Sequence, residues 1–361
     1  MAVKVYVVDD SAVVRQAIQH LLQDERDIEL IGSAPNAMLA AVAIRKRRPD
    51  VLLLDIEMPG MDGLTFLRQI MDEDPIPTVI CSTLSTSGSQ VALEALACGA
   101  VAVMAKPRMG LKQFLDESRL EVVQTLKAAA ASRPRAGAKP AAGGAASAAS
   151  AAPAKPRPAP TQAVAGVHAL SVNKPVVMGA STGGTQALEA VLTRLPVDCP
   201  GIAIVQHMPE NFTRMYAERL NKLCAMEVRE ARSGDRLQRG TVLIAPGGKH
   251  MQLTKSMGQY FVKVLDGPPV NRHKPSVDVL FRSAAEVAGK DVMGIILTGM
   301  GDDGARGMKA MHDGGARTVA QDEASCVVVG MPMEAIKLGG VDDVRPLSGM
   351  ADAILRFDAR A

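Results

Sequence analysis

The stretch VVMGASTGGTQALEA, Val176 to Ala190, sets a β-branched apolar run, a Gly-rich turn and a helix-forming run one after another. Strand, tight turn and helix in that order are half of a β–α–β crossover, the unit that builds parallel sheets with helices on both faces. Such a turn serves two chemistries. Its backbone N–H groups, at the start of a helix, cradle a phosphate. Alternatively the corner exposes a nucleophile, here Ser181 within Gly179–Ala180–Ser181–Thr182–Gly183, a G-x-S-x-G match that needs a strand before it and a helix after it. The phosphate patterns G-x-x-x-x-G-K-S/T and G-x-G-x-x-G are absent and the turn holds no Lys, yet the stretch taken alone leaves both readings open.

The same alternation extends in both directions. Downstream, GIAIVQH leads to the helical run NFTRMYAERLNKL, and GTVLIAPG precedes the hairpin candidates HMQLT and YFVKVL. SVDVLFRSAAEVAG reads as a helix, DVMGIILTGM as a strand, GARGMKAMHDGG as a helix, and RTVAQ and MEAIKLG complete a second α/β set. Upstream, KVYVVDD, IELIGSA, VLLLDIEMPG, TVICSTL and AVMAKP are strands, each followed by a helical run. Between the two sets lies AAAASRPRAGAKPAAGGAASAASAAPAKPRPAPTQA, with no Val, Ile, Leu or aromatic residue. Such a segment cannot bury enough apolar area to offset the entropy of ordering. The expected architecture is therefore α/β throughout. A five-stranded parallel doubly wound domain spans 1–127, a disordered Ala/Pro-rich linker 128–168, and a second doubly wound α/β domain 169–361. LKAAAAS, at the start of the linker, is available to extend the helix before it.

Composition narrows the function. Aromatic residues are 2% of the chain, so single-strand nucleic-acid binding lacks its stacking platforms. The net charge is +3, and the linker alone carries Arg133, Arg135, Lys139, Lys155 and Arg157, so the remainder stands at −2 (3 less 5). A DNA-binding footprint is excluded on that balance. No apolar run approaches the roughly 18 residues of a membrane span, and MAVKVYVVDD lacks the order of a signal peptide. Cys81, Cys98, Cys199, Cys224 and Cys326 are dispersed, which fits a reducing compartment and offers no zinc spacing. The expectation is a cytoplasmic protein with no nucleic-acid partner and no membrane insertion. Phe212 and Tyr216, one helical turn apart, and most of the methionines read as core residues.

Ligands of open parallel sheets bind at the carboxyl ends of the strands. Asp9 and Asp10 fall there after the first strand, Asp55 after the third, Ser82 after the fourth, and Lys106, before Pro107, after the fifth. Clustered carboxylates repel one another and favour a hard divalent cation such as Mg²⁺. Lys106 offers a compact positive charge to a phosphoryl oxygen, and Ser82 a hydroxyl. VVDDS, LLLDIEMPGMDG, Ser82 and Lys106–Pro107, in that order, resemble the receiver domain of two-component response regulators. The resemblance implies that Asp55 accepts a phosphoryl group from a histidine kinase, with Ser82 and Lys106 reading it. It further implies Mg²⁺ held by Asp10, Asp55 and the backbone carbonyl of Glu57, with Asp9 assisting through water, and a cis bond before Pro107. The position three before Lys106, often aromatic in receivers, is Val103, which argues against an aromatic gate.

In the second half, His207 alone among the six His directly follows a clear buried strand. ILTGMGDDGA ends another, and Gly299, Gly301 and Gly304 permit a tight turn before a helix. Asp302 and Asp303 in that turn are candidate helix caps, or one of them orients His207 so that the imidazole takes the Ser181 proton. The chain order Ser…His…Asp differs from the Ser…Asp…His of α/β-hydrolases, so G-x-S-x-G does not imply that fold.

GASTGG, VQHM, NRHKPSVDVLF, ILTGMGDDGARGM and AQDEASCVVVGMPMEAI, together with the receiver motifs, resemble the chemotaxis response regulator protein-glutamate methylesterases, the CheB family. The resemblance implies Ser181 as nucleophile, His207 as general base and acid, and Asp303 as orienter. Thr182 and Met300 would line the oxyanion region, with no cofactor in the esterase site. The implied activity is hydrolysis of glutamate methyl esters on methyl-accepting chemotaxis receptors, and deamidation of specific receptor glutamines, switched on by receiver phosphorylation. Family members usually carry Asn-Asp where this chain has Asp302–Asp303. The alternative is a receiver-regulated, non-enzymatic module that binds a partner or a nucleotide. His273 and Lys274 read either as receptor contacts or as the frame of the active-site rim.

Overall fold

A computed structural model describes residues 2–58, 62–82, 86–106, 111–132 and 174–358. The first half runs β1 (Val3–Val8), α1 (Ala12–Leu22), β2 (Ile28–Ala34), α2 (Ala37–Lys46), β3 (Val51–Asp55), α3 (Gly63–Glu73), β4 (Thr78–Ser82), α4 (Thr86–Ala97), β5 (Ala102–Ala105) and α5 (Leu111–Ala131). Its sheet is parallel with order β2-β1-β3-β4-β5. That order places a topological switch between β1 and β3, where crossovers leave in opposite directions and open a crevice at the carboxyl ends. The register pairs Val8 with Leu54, so Asp9 and Asp55 emerge side by side. Ser82 pairs with Ala105, which sets Ser82 beside Lys106. Helix α5 continues to Ala131, so residues 128–131 of the expected linker are helical, as KAAAA, rich in the best helix former, allows. Residues 133–168 of that linker, and the bond before Pro107, lie outside the described residues.

The second half runs β6 (Val176–Ala180), α6 (Gly184–Leu192), β7 (Ile202–Gln206), α7 (Phe212–Leu223), β8 (Glu227–Glu230), β9 (Thr241–Ile244), β10 (His250–Ser256), β11 (Gln259–Leu265), α8 (Val277–Ala288), β12 (Met293–Ile296), α9 (Ala305–Asp313), β13 (Arg317–Gln321), α10 (Gly330–Lys337), β14 (Asp343–Arg345) and α11 (Met350–Asp358). Seven parallel strands lie in the order β14-β13-β12-β6-β7-β9-β8, while β10 and β11 form the separate antiparallel hairpin. The switch here lies between β6 and β12, so β6, β7 and β12 deliver their loops to one edge. β8, β14 and α11 do not stand out in the sequence. EVRE and DVR are short and charged because they form the two edges of the sheet, where such residues discourage pairing with another chain.

Both faces of this sheet are covered, which is why its strands are apolar runs rather than alternating ones. Val176 and Met178 pack with Leu188, Leu192, Phe212 and Tyr216 of α6 and α7, whereas Val177 packs with Leu280 and Phe281 of α8 and Met308 of α9. Tyr216 also donates its hydroxyl to the Thr185 carbonyl at 2.9 Å. The first of these clusters continues without a break into the α2–α3–α4 side of the other sheet, and α4 packs on α6 and α7.

Candidate active site

At the first sheet's crevice, Asp9 and Asp55 are buried and Asp10 is exposed, and one oxygen of each lies within 4.8 Å of the others. Asp55 Oδ1 accepts from the Glu57 N–H at 2.9 Å, and Asp9 Oδ1 from the Ser11 N–H at 2.9 Å. Lys106 Nζ sits 2.6 Å from Asp55 Oδ2 and 3.2 Å from Asp9 Oδ2. Burial, above all, raises the Asp9 carboxyl above its ordinary value. Burial alone depresses the lysine, but the hydrogen bond and charge of Asp55, then Asp9, outweigh it and raise Lys106. The Lys106 N–H donates to the Ser82 carbonyl at 2.8 Å, joining the two expected phosphoryl readers through the backbone. Three carboxylates against one ammonium leave an excess of negative charge in a confined pocket, and this donor set fits a divalent oxygen-seeking cation.

At the second sheet's edge, β6 ends at Ala180 and the turn Ser181–Thr182–Gly183 opens α6. The positive φ of this turn falls on Gly183, at 76°, where a Cβ would also lie 2.5 Å from Val327 Cβ. Only glycine takes that conformation freely, so the G-x-S-x-G match has a local cause. The turn is tied down from three sides. Ser181 N–H donates to the Thr298 carbonyl at 3.0 Å, Gln206 Nε2 to the Ser181 carbonyl at 2.9 Å, and Thr298 Oγ1 to the Thr182 carbonyl at 3.0 Å. Among the described residues, the main-chain N–H groups of Thr182 and Met300 have no acceptor.

His207 follows β7, and its N–H donates to the carbonyl of Ala180, the residue before Ser181. Its Nε2 lies 2.8 Å from Asp303 Oδ2, while Nδ1 is buried and has no hydrogen-bond partner. The Ser-His-Asp template offers Nδ1 to the carboxylate; here the ring is turned over. Asp303 is 1% exposed and saturated with donors: the Val277 N–H at 2.7 Å on Oδ2, and Asn271 Nδ2 at 2.8 Å, Ser276 Oγ at 2.8 Å and the Asp278 N–H at 3.2 Å on Oδ1. Burial works against ionisation, but the hydrogen bond from His207, then Asn271 and Val277, hold this carboxyl well below the ordinary range. Ser276 stands immediately before α8, yet its hydroxyl makes no cap to that helix. It turns instead to Asp303, whose carboxylate takes the free N–H groups of α8, where the helix dipole also favours negative charge. Asp302, by contrast, is half exposed and pairs with Arg272 at 2.8 Å.

A cavity of ≈ 530 Å³ is lined by Ser181, Thr182, His207, Met300, Arg272 and Lys274 among others, and closed on one side by Val101–Ala105 of the first domain. His273 also lines it, with its ring stacked on His207, centroids 3.7 Å apart and planes 12° apart. Lys274 lines the rim and pairs with Asp266. Asn271 and Ser276 went unread as site residues. NRHKPSVDVLF marked their neighbourhood, but nothing in that string shows that it folds over Asp303 from beyond the hairpin.

Fold and site together define a response-regulator receiver joined to a domain with a serine, a histidine and a buried aspartate at one sheet edge. A family model described as CheB methylesterase matches residues 176–354, and one described as response regulator receiver domain matches residues 5–117. The chain is 55% identical over 355 residues to protein-glutamate methylesterase/protein-glutamine glutaminase 2 of Dechloromonas aromatica, covering 98% of each chain. It is 53% identical over 363 residues to the protein of the same name from Chromobacterium violaceum, covering 99% of this chain and 100% of that one. The crystal structure of the Thermotoga maritima CheB methylesterase catalytic domain aligns with a TM-score of 0.50 at 36% identity, over 51% of this chain and 98% of that one. The chain belongs to the CheB family of protein-glutamate methylesterases/protein-glutamine glutaminases.

Proposed function

We propose that the chain hydrolyses glutamate γ-methyl esters on methyl-accepting chemotaxis receptors, and deamidates specific receptor glutamines, with Ser181 as nucleophile, His207 as general base and acid, and Asp303 as orienter. The observation that carries this reading is the 2.8 Å His207–Asp303 pair beside Ser181 on a shared cavity. Asp303, held ionised, can only accept, so His207 donates from Nε2 and leaves Nδ1 as the base. Ser181 Oγ attacks the ester carbonyl and its proton passes to Nδ1. Methanol departs with that proton, and water, deprotonated by the same nitrogen, releases glutamate and frees the serine. Deamidation is the same sequence with ammonia leaving. The N–H groups of Thr182 and Met300 are the donors for the developing oxyanion. The reading includes a cytoplasmic location; no described helix is long and apolar enough to cross a membrane.

The receiver supplies control. In this reading a histidine kinase phosphorylates Asp55, and Mg²⁺ is held by Asp10, Asp55 and the Glu57 carbonyl, with Asp9 assisting through water; bound there, the ion offsets phosphoryl charge. Ser82 and Lys106 then bond the new oxygens; Ser82 ends β4 and Lys106 follows β5, and β5 and Leu96 of α4 line the esterase cavity. The prediction is that methanol release from methylated receptor membranes rises when a small phosphodonor is added to wild type. Asp55→Ala keeps the resting rate and shows no rise. A rise in Asp55→Ala equal to that of wild type overturns the receiver assignment.

The cover is held by named bonds. Gln186 of α6 donates from Nε2 to the carbonyls of Leu96 at 2.7 Å and Ala100 at 2.9 Å, and the Gly183 N–H to that of Val101 at 3.3 Å. The Leu96 carbonyl belongs to the last turn of α4, where it also accepts from the Gly99 N–H at 3.1 Å. Each such bond contributes about 0.5–1.5 kcal/mol. Gln186→Ala therefore raises methanol release without phosphodonor by roughly tenfold and shrinks the phosphodonor response by the same factor. An unchanged resting rate in that variant removes Gln186 from the closed arrangement's support.

A further inference from the structure

We propose that His273 is a positioning residue for the acid–base histidine: its ring, stacked on His207, fixes the plane in which Nδ1 is presented to Ser181 and keeps water from that face. This rests on the reading of His207 as the base. The first support is the stack itself, 3.7 Å between centroids and 12° between planes. Nε2 of His207 is anchored by Asp303, but a single hydrogen bond leaves the ring free to swing about that contact. A flat group against its face removes the swing.

The second support is the backbone that aims His273. Val270 and His273 exchange both main-chain hydrogen bonds, at 3.1 and 2.9 Å. Between them Asn271 has φ 49° and Arg272 φ 72°, the left-handed pair of a type I′ turn. Neither is glycine, and such residues cost roughly 1–3 kcal/mol each. All three side chains from Asn271 to His273 are committed to this site. Asn271 Nδ2 bonds both Asp303 Oδ1 and Asp278 Oδ2 at 2.8 Å, Arg272 holds Asp302 at 2.8 Å, and His273 covers His207. Buried Asp278 in turn accepts from the Gly307 N–H at 2.6 Å and from Arg282 at 3.2 Å, which fixes Asn271 from behind. Glycine would relieve the turn, but it would remove the side chains that grip the His–Asp pair.

The third support is electrostatic. Burial, and then the neighbouring charge on His207, push the His273 imidazole down to about 3. It is therefore neutral at ordinary pH and places no charge against the imidazolium that forms on His207. Of the two stacked rings only His207 pairs with Asp303, which gives the two imidazoles distinct roles. The charged groups around the pair are Asp303, Arg272 with its partner Asp302, and, at the cavity rim, Lys274 with Asp266, and Glu210.

The test uses the full chain with phosphodonor and methylated receptor membranes, comparing wild type, His273→Ala and His273→Phe. Misplacing a catalytic group by about an ångström costs up to about 100-fold, so His273→Ala loses about 10- to 100-fold in kcat with KM within about threefold. Phenylalanine, flat and neutral, recovers most of the loss. A wild-type kcat in His273→Ala overturns the proposal, and so does an equal loss in both variants, which would assign the role to the ring nitrogens. An independent readout is the titration of the His207 ring in spectra of the chain labelled with ¹⁵N-histidine. Opening one face to water favours the charged imidazole, so the midpoint rises in His273→Ala and returns in His273→Phe; an unmoved midpoint in the alanine variant also overturns the proposal. The titration needs no substrate. Absent methanol release in wild type therefore sinks the ester reading alone, while the spectra still decide the role of His273.

Discussion

Ser181→Ala is expected to abolish methanol release from methylated receptor membranes, with and without phosphodonor, a loss of at least about 10⁴-fold. In the proposed mechanism Oγ is the atom that bonds the acyl group, at the position that the turn 181–183 gives it. The nearest cysteine in sequence, Cys199, is buried with its thiol pushed up to about 12, first by burial. The variant should fold as the wild type does. The Ser181 side chain makes no hydrogen bond among the described residues, so its removal changes stability by less than about 1 kcal/mol. Methanol release and a thermal melt, run together, separate lost chemistry from lost structure. Undiminished release would favour the reading of this half as a module that binds a partner or a nucleotide.

The second large effect is expected at Asp303. Asp303→Asn keeps the shape and removes the charge, and methanol release should fall by about 10³- to 10⁴-fold. The reason is the tautomer. A carboxylate only accepts, so it selects the imidazole that donates from Nε2 and keeps Nδ1 free. A carboxamide can present its NH₂ to Nε2, and the ring then carries its proton on Nδ1 and cannot take one from Ser181. The amide is also a poor match for the donors of Val277, Ser276, Asn271 and Asp278 that converge on this side chain. Leaving one buried donor unmet costs about 1–3 kcal/mol, so the variant melts lower as well. The sign of the pH dependence follows from the depressed carboxyl. Its stabilising contribution is complete above the unfolded value, about 3.9, and is lost only as pH falls through the still lower folded value. The gap in stability between variant and wild type is therefore flat between about pH 5 and 8 and closes only in strong acid. Activity within tenfold of wild type would remove Asp303 from the role of orienter. Asp302→Asn provides the contrast, because Asp302 is half exposed, pairs with Arg272 and touches neither histidine.

Much of this protein was legible from local order along the chain. Apolar runs alternating with helical runs mark two parallel sheets, because strands buried on both faces must be apolar throughout. Once parallel strands are granted, strand ends become a map. Asp9, Asp55, Ser82 and Lys106 had to meet, and Ser181, His207 and the Asp302–Asp303 turn had to share an edge, because parallel strands all present their carboxyl ends to the same side. Edge strands β8 and β14 escaped notice because their charge erases the apolar signal.

Tertiary structure decided the remainder, and the reason is distance along the chain. Which of two adjacent aspartates serves His207 depends on which one meets the start of α8, some 25 residues earlier. The turned-over imidazole, the His273 plate and the strained 270–273 turn arise from a loop that leaves the hairpin and folds back over β12, and no pattern within that loop encodes where it lands. Gln186 illustrates the same limit: on α6 it reads as one more polar helical residue, and only the packing of α4 against α6 gives it the Leu96 and Ala100 carbonyls 86 to 90 positions away. Periodicity specifies the scaffold, whereas the orientation of polar groups upon it depends on long-range register and is set only when the sheets and helices close together.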